Sequence, residues 1–267
     1  MTTEGNGAEG DVIRTLAIDI GGTGIKAMVL DNYGHPLDDR IKEATPHPAP
    51  PEPVIKIIKK LAEKHRPYDR VSVGFPGVVR NGITLDAPNL DDAWEGFDLQ
   101  SKLTELLEAP TRVANDADVQ GFGAITGKGV ELVLTLGTGL GSALFVEGIL
   151  FPNLELAHHP FRGKKKTYED LLGKAALEKD GRKKWQKRLE FALKTLQKTF
   201  NCDKIHIGGG NASKVTRNAL PENVRIVSNV AGLLGGIALW NDLHDTDCRR
   251  VPPVPADRAH RPIDESA

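Results

Sequence analysis

The sequence predicts an α/β fold of two related lobes with mixed sheets and a central cleft, and three observations predict it. Short apolar runs that stop at glycine, too short for helices, alternate with stretches that are apolar at helical spacing. Gly22-Thr23-Gly24-Ile25-Lys26-Ala27-Met28-Val29 aligns without a gap with Gly137-Thr138-Gly139-Leu140-Gly141-Ser142-Ala143-Leu144, 115 residues later. A period that long indicates a duplicated half-domain rather than a solenoid. At 267 residues, 39% hydrophobic and 27% charged, the chain has the length for two modest lobes and the balance of a globular protein.

Taken in order, Leu16 to Ile20 reads as a buried strand that ends in a glycine pair, Ile25 to Leu30 as its returning partner and Arg40 to Ala44 as a third strand. Pro46 to Pro53 reads as a proline-rich loop. Val54 to His65 then carries Val54, Ile57, Ile58 and Leu61 on one helical face and lysines on the other. Val71 to Phe75 is a strand halted by Pro76-Gly77, Leu99 to Leu107 a second amphipathic helix, and Arg112 to Ala114 a strand leading into Asn115-Asp116. A helix follows from Ala117 to Ile125, with an acidic first turn and Asp116 or Asp118 as its cap. Lys174 to Phe200 reads as one long helical region and Lys204 to Ile207 as a strand running into Gly208-Gly209-Gly210. Ala231 to Leu243 reads as a helix whose Gly232, Gly235 and Gly236 permit close packing. The expected division is a small lobe over 12–113, a large lobe over 114–229, a helix over 230–245 returning to the small lobe, and a disordered tail over 246–267.

No run approaches the roughly 20 apolar residues of a membrane-spanning helix, and the polar start Met1 to Asp11 lacks the apolar core of a signal peptide. A cytoplasmic protein with no membrane partner is expected. Cys202 and Cys248 are far apart and form no Cys-x-x-Cys pair, which argues against a disulfide framework or a cysteine zinc site. The net charge of −1 conceals a basic stretch, Arg162 to Lys198, with thirteen Lys/Arg against five Asp/Glu. Its plain reading is a solvated helix face; its sharper one is a track for a polyanion.

Two glycine turns on strand hairpins can aim backbone N–H groups at one point, which makes an anion cradle from each lobe. Neither turn has the spacing of a Walker or dinucleotide motif. Phosphoryl transfer needs held, neutralised phosphate oxygens and a base for the attacking hydroxyl, and Asp116 is suited to be that base. From local sequence its other reading, a helix cap, stays equally open. Asp19 ends a strand where it would hold Mg²⁺ through water, or else be a buried hydrogen-bonding group. Lys26 is a phosphate ligand or a solvent-facing strand residue.

These residues resemble the ROK family (repressors, open reading frames and kinases) over roughly Leu16 to Leu239. Asp19-Ile20-Gly21-Gly22-Thr23 looks like the first phosphate motif, Gly74-Phe75-Pro76-Gly77-Val78-Val79 like the loop beside the sugar, and Leu136-Gly137-Thr138-Gly139-Leu140-Gly141 like the second phosphate motif. Ile207 to Gly210 is similar to the later glycine-rich turn. Pro152-Asn153-Leu154-Glu155-Leu156-Ala157-His158, together with Asn115-Asp116-Ala117-Asp118, resembles the polyphosphate glucokinases of that family.

The resemblance implies an actin-like (ribonuclease H-like) sugar kinase that phosphorylates the 6-hydroxyl of glucose, with inorganic polyphosphate or ATP as donor, Mg²⁺ as cofactor and Asp116 as catalytic base. It implies hexose binding by Asn89, Asn115, Glu155, His158 and a displaced acid, Glu169. It implies phosphate binding by Gly21, Gly22, Thr23, Gly24, Lys26, Gly137, Thr138, Gly139, Gly209 and Gly210. A homodimer is implied as well. Too few residues precede Leu16 for a DNA-reading helix pair, so no nucleic-acid partner is expected. Two departures stand out: Ala157 replaces the family's usual glycine before the histidine, and no cysteine lies between His158 and Glu169, so structural zinc is not expected. The altered segment leaves open a kinase for another hexose, or a sugar sensor of the same fold.

Overall fold

In the computed structural model, which describes residues 12–87, 90–151, 154–161, 165–227 and 231–240, two five-stranded mixed sheets repeat one topology. The first is built from β1 (Thr15–Gly21), β2 (Gly24–Leu30), β3 (Ile41–Glu43), β4 (Arg70–Phe75) and β8 (Thr111–Asn115), in the order β3-β2-β1-β4-β8. The second has β9 (Val130–Leu136), β10 (Leu140–Val146), β11 (Ile149–Phe151), β12 (Lys204–Gly208) and β13 (Val224–Ile226), in the order β11-β10-β9-β12-β13. In each, three antiparallel strands form a meander whose first strand pairs in parallel with the fourth, and the fourth with the fifth.

The repeat is not quite the gapless one of the sequence. Gly21 pairs with Gly24, leaving Gly22-Thr23 as the first turn, whereas Leu136 pairs with Leu140 and leaves three residues, Gly137 to Gly139. The second returning strand is therefore displaced by one residue, so the rung that holds Asp19 opposite Lys26 corresponds to Leu134 opposite Ser142.

Against the first sheet pack α1 (Pro51–Lys64) and α2 (Leu99–Leu107), with Val54, Ile58, Leu61, Leu99 and Leu103 fully buried. The first of these helices begins three residues before the sequence suggests, because Pro51 stands at its first turn, where a missing N–H costs nothing. A small sheet of β5 (Val79–Arg80), β6 (Ile83–Thr84) and β7 (Phe97–Asp98) lies beside them. Over the second sheet lie α4 (Tyr168–Leu172), α5 (Lys174–Asp180) and α6 (Arg182–Phe200). The expected long helical region over Lys174 to Phe200 is two helices, parted at Gly181, whose φ of 77° no helix accommodates. Inward, α6 buries Trp185, Leu189, Leu193 and Leu196; outward, Lys183, Lys184 and Lys187 are exposed, and Asp180 pairs with Lys184 and Arg188 at 2.9 and 2.7 Å. That is a solvated basic face.

Between the sheets runs α3 (Asp116–Phe122), shorter than the sequence reading, and it is capped by neither aspartate. Asn115 caps it, with Oδ1 accepting from the amides of Ala117 and Asp118 at 2.8 and 3.3 Å. The chain then returns to the first sheet as α7 (Ala231–Leu234) and a 3₁₀ turn, Gly235–Trp240; residues 230 and 241–245 of the expected last helix and the tail 246–267 lie outside the described residues. Leu233 and Ile237 pack on Ala17, Met28 and Leu30, and Ser72 donates to the Gly236 carbonyl at 2.6 Å. A Cβ on Gly235 would stand 1.7 Å from the Val119 carbonyl oxygen, so only glycine lets this segment lie against α3.

Candidate active site

Both glycine hairpins, the start of α3 and the segment after β11 enclose one cleft of about 510 Å³. Of the expected phosphate-binding residues, Gly21, Gly22, Thr23, Gly24, Lys26, Gly137, Thr138, Gly139, Gly209 and Gly210 all line it. So do Asp19, Asn115, Asp116, Glu155, His158 and Glu169. Asn89 lies outside the described residues, as do Pro152-Asn153 and residues 162–164 of the basic stretch. Among the described residues of that stretch, Lys174 is the basic side chain that reaches the cleft wall.

Asp116 sits where β8 of one sheet passes into the helix between both. Its carboxyl is pushed up to about 7, first by burial, then by the negative charges of Asp19 and Glu155; the Ala117 amide and Lys26 oppose the rise. A carboxyl tuned to that range can take a proton at neutral pH. Opposite it, Gly141 of the second hairpin has no room for a side chain: a Cβ there would stand 2.3 Å from Thr135 Oγ1 and 2.8 Å from Ala117 Cβ. The glycine thus brings the second hairpin down onto Ala117, the residue next to Asp116.

Lys26 faces the cleft and is ion-paired there. Its Nζ donates to Asp19 Oδ2 at 2.6 Å, and both side chains are partly buried. Asn115 has two local duties, since besides capping α3 it donates through Nδ2 to the Gly77 carbonyl at 2.9 Å and so fixes the Pro76-Gly77 loop beside Asp116. Glu169 accepts from the Leu140 amide at 3.1 Å, tying α4 to the second hairpin. Glu155 is pushed up by desolvation in the cleft and then by the charge of Asp86, with a further push from Glu169, while His158 pulls it down.

Asp86 is a cleft residue the sequence reading passed over, and so are Gln120 and Lys42. Gln120 had a usable signal, standing four residues after Asp116 on the same helix face. Asn211 follows the glycine run directly, and its Nδ2 donates to the Gly137 carbonyl at 2.9 Å. Asp86, whose Oδ1 accepts from the Val78 amide at 2.9 Å, sits in a loop with no pattern to mark it.

As a magnesium site the cleft fits in a limited way. Mg²⁺ commonly takes one or two protein carboxylates and completes its octahedron with water and substrate phosphate. Asp19 supplies one carboxylate, with one of its oxygens engaged by Lys26. Among the described residues no group of three or more His, Cys, Asp or Glu forms an all-protein metal cage. The donor set therefore suits an ion brought in with a phosphate chain.

Two duplicated halves with glycine hairpins facing each other across a cleft, and a raised carboxyl at its floor, define an actin-like protein of the sugar kinase type. More particularly, the chain belongs to the ROK family, whose family model matches residues 15–153. It is 33% identical over 238 residues to a polyphosphate glucokinase of Mycobacterium tuberculosis, covering 82% of this chain and 88% of that one. With a polyphosphate glucokinase of Mycobacterium leprae it shares 32% identity over 83% of this chain and 73% of the relative. Among solved structures it is similar to the inorganic polyphosphate/ATP-glucomannokinase of Arthrobacter sp. strain KM, with a TM-score of 0.77, 34% identity, and coverage of 86% of this chain and 100% of that one.

Proposed function

We propose that this protein is a hexose kinase that moves the terminal phosphoryl group of inorganic polyphosphate, with ATP as a second donor, to the 6-hydroxyl of glucose. The observation that carries the reading is the Asp116 carboxyl, raised to about 7, at the floor of a cleft walled by two glycine hairpins. The curated relatives that match most of the chain are named for polyphosphate and glucose, which fits that geometry.

Asp116 accepts the proton of the sugar hydroxyl as its oxygen bonds to the terminal phosphorus and the bond from that phosphorus to the next bridging oxygen breaks; the donor leaves one phosphate shorter. Backbone N–H groups at Gly22 to Gly24 and at Thr138 and Gly139, with Lys26, hold the phosphate oxygens as charge shifts onto the leaving group, while the Gly137 amide closes its own turn on the Gly139 carbonyl at 3.1 Å. Mg²⁺, when bound, neutralises part of the donor's charge, and Asp19 is the residue that would hold it through water. Asn89, Glu155, His158 and the remaining N–H of Asn115 read the hexose hydroxyls, with Glu169 bracing them. The two lobes are taken as 12–113 and 114–229, with the cleft between them. A cytoplasmic homodimer completes the reading.

Asp116→Asn tests it. Calorimetry is expected to show glucose binding retained, while a coupled assay shows turnover lower by several orders of magnitude. Near-normal turnover would end the assignment of Asp116. On wild-type protein, a matrix of glucose and mannose against polyphosphate and ATP decides donor and sugar; activity with ATP alone would remove polyphosphate from the proposal.

A further inference from the structure

On the cleft face of the first sheet, Lys42 of β3 stands directly opposite Lys26 of β2 in the antiparallel ladder. Like charges in that relation cost stability unless something neutralises them. Lys26 has the Asp19 carboxylate at 2.6 Å. Lys42 has no ion pair among the described residues, although its neighbour Glu43, which points to the other face, has two, with Lys60 at 3.0 Å and Lys64 at 3.3 Å. The rear of the strand is thus paired and the cleft side is left with an uncompensated cation.

Its position says what would compensate it. Lys42 lines the cleft, and its Cε lies 2.4 Å from where a Cβ on Gly24 would stand, so the stem lies over the first glycine turn. Gly24 leaves room for that stem. The side chain is exposed, and its Nζ lies 3.3 Å from that same point, beside the first glycine turn, whereas Glu155 and His158 line the cleft from the segment after β11 of the second sheet. We propose that Lys42 is a donor-binding residue that contacts phosphate oxygens of the polyphosphate chain at the first hairpin and takes no part in holding the sugar.

The proposal rests on the polyphosphate reading above, and its test separates the two. Steady-state kinetics with long-chain polyphosphate at saturating glucose are measured for wild type, Lys42→Gln, Lys42→Arg and, as a control that removes the same charge from an exposed helix position, Lys59→Gln. Lys42→Gln is expected to raise the KM for polyphosphate by roughly fivefold to tenfold, the worth of one charge-assisted hydrogen bond weakened by solvent at an exposed site. Its dependence on salt becomes shallower. Lys42→Arg restores most of the loss, and Lys59→Gln changes nothing. The KM for glucose stays at its wild-type value, and the melting temperature in the absence of donor stays level or rises, because the repulsion between Lys42 and Lys26 is relieved. An unchanged KM for polyphosphate in Lys42→Gln overturns the proposal, as does an equal rise in the KM for glucose or a fall in melting temperature that accompanies the kinetic change. Wild-type protein with no turnover on polyphosphate would instead end the reading on which this one rests.

Discussion

The hairpins that face each other across the cleft share a backbone and differ in where they keep their charge. Three rungs from the first turn, Asp19 and Lys26 form an ion pair of 2.6 Å on the cleft wall. At the corresponding rung of the second stand Leu134, fully buried, and Ser142, whose hydroxyl donates to the Leu154 carbonyl. The second hairpin's own carboxylate, Glu131, lies at the opposite end of β9. There it is wholly buried and accepts from the amides of Thr126, Gly127 and Lys128 and from the His206 ring at 2.9 Å. Amide donors come with the duplicated backbone, so both lobes can cradle phosphate. Ionisable groups come with individual side chains, and of the two hairpins only the first brings them into the cleft.

The sharpest way to break that comparison is to neutralise the first hairpin. Asp19→Asn strips Lys26 of its partner and removes the carboxylate suited to a hydrated cation, and turnover is expected to fall on the order of 100-fold, as when one preorganised group at a developing charge is lost. Steady-state kcat with saturating glucose and polyphosphate reads it. A loss under threefold would mean that the ion pair belongs to the fold and not to the chemistry.

Glu131 is expected to behave in the opposite way. Against the burial that would raise it, hydrogen bonds from His206 and Thr126 hold its carboxyl down at about 2. A carboxyl depressed in the folded state contributes stability that is present above its unfolded pKa, near 4.5, and is lost as pH falls towards 2. Glu131→Gln should therefore cost ~2 kcal/mol in denaturant melts at neutral pH, with the gap narrowing below about pH 4.5. Its kcat should remain that of wild type; a large loss of turnover without loss of stability would contradict the division of labour.

Much of this arrangement is legible in the residues, and the exceptions have physical causes. The helix Leu99–Leu107 matches its sequence reading at both ends because local chemistry fixes them: Asp98 accepts from the Ser101 amide at one end and Glu108 adopts a left-handed conformation at the other. The break at Gly181 was invisible because a single glycine inside a helical pattern costs only about 1 kcal/mol and is often tolerated. The extra residue in the second turn was hidden too, since an ungapped alignment compares identities while hydrogen bonds set the register. Asp116 was readable from local sequence as a base or as a cap, and the structure removes the second reading, since Asn115 does the capping. Asp86 and Lys42 reach the cleft from separate loops and strands, and no local spacing announces that.

A smaller effect, in pH, tests whether the first hairpin tunes the base. With Asp116 at about 7, kcat/KM should fall on the acid side of neutrality. Asp19 is among the groups that raise this carboxyl and Lys26 among those that lower it, so Asp19→Asn should move the acid limb down and Lys26→Met should move it up. The same shift has a stability counterpart. A carboxyl raised in the folded state contributes stability below its unfolded pKa that is lost as pH rises through about 7, so Asp116→Asn should melt above wild type at pH 8 and converge with it near pH 4. Acid limbs that coincide in all three proteins would show that burial alone sets the value.

The smallest expected change falls on the second hairpin's equivalent of Lys26. Ser142 is buried, donates to the Leu154 carbonyl and accepts from the Leu156 amide at 3.3 Å. It therefore pins the segment that carries Glu155 and His158 to β10. Ser142→Ala leaves those two backbone groups without the hydroxyl, a loss of ~1 kcal/mol that should appear in thermal melts. Because the segment carries the proposed hexose ligands Glu155 and His158, the KM for glucose should rise by about threefold while the KM for polyphosphate and kcat hold, the reverse of the pattern expected at Lys42. If Ser142→Ala weakens polyphosphate as much as glucose, the two hairpins are not specialised, and charge placement is no guide to which substrate each one serves.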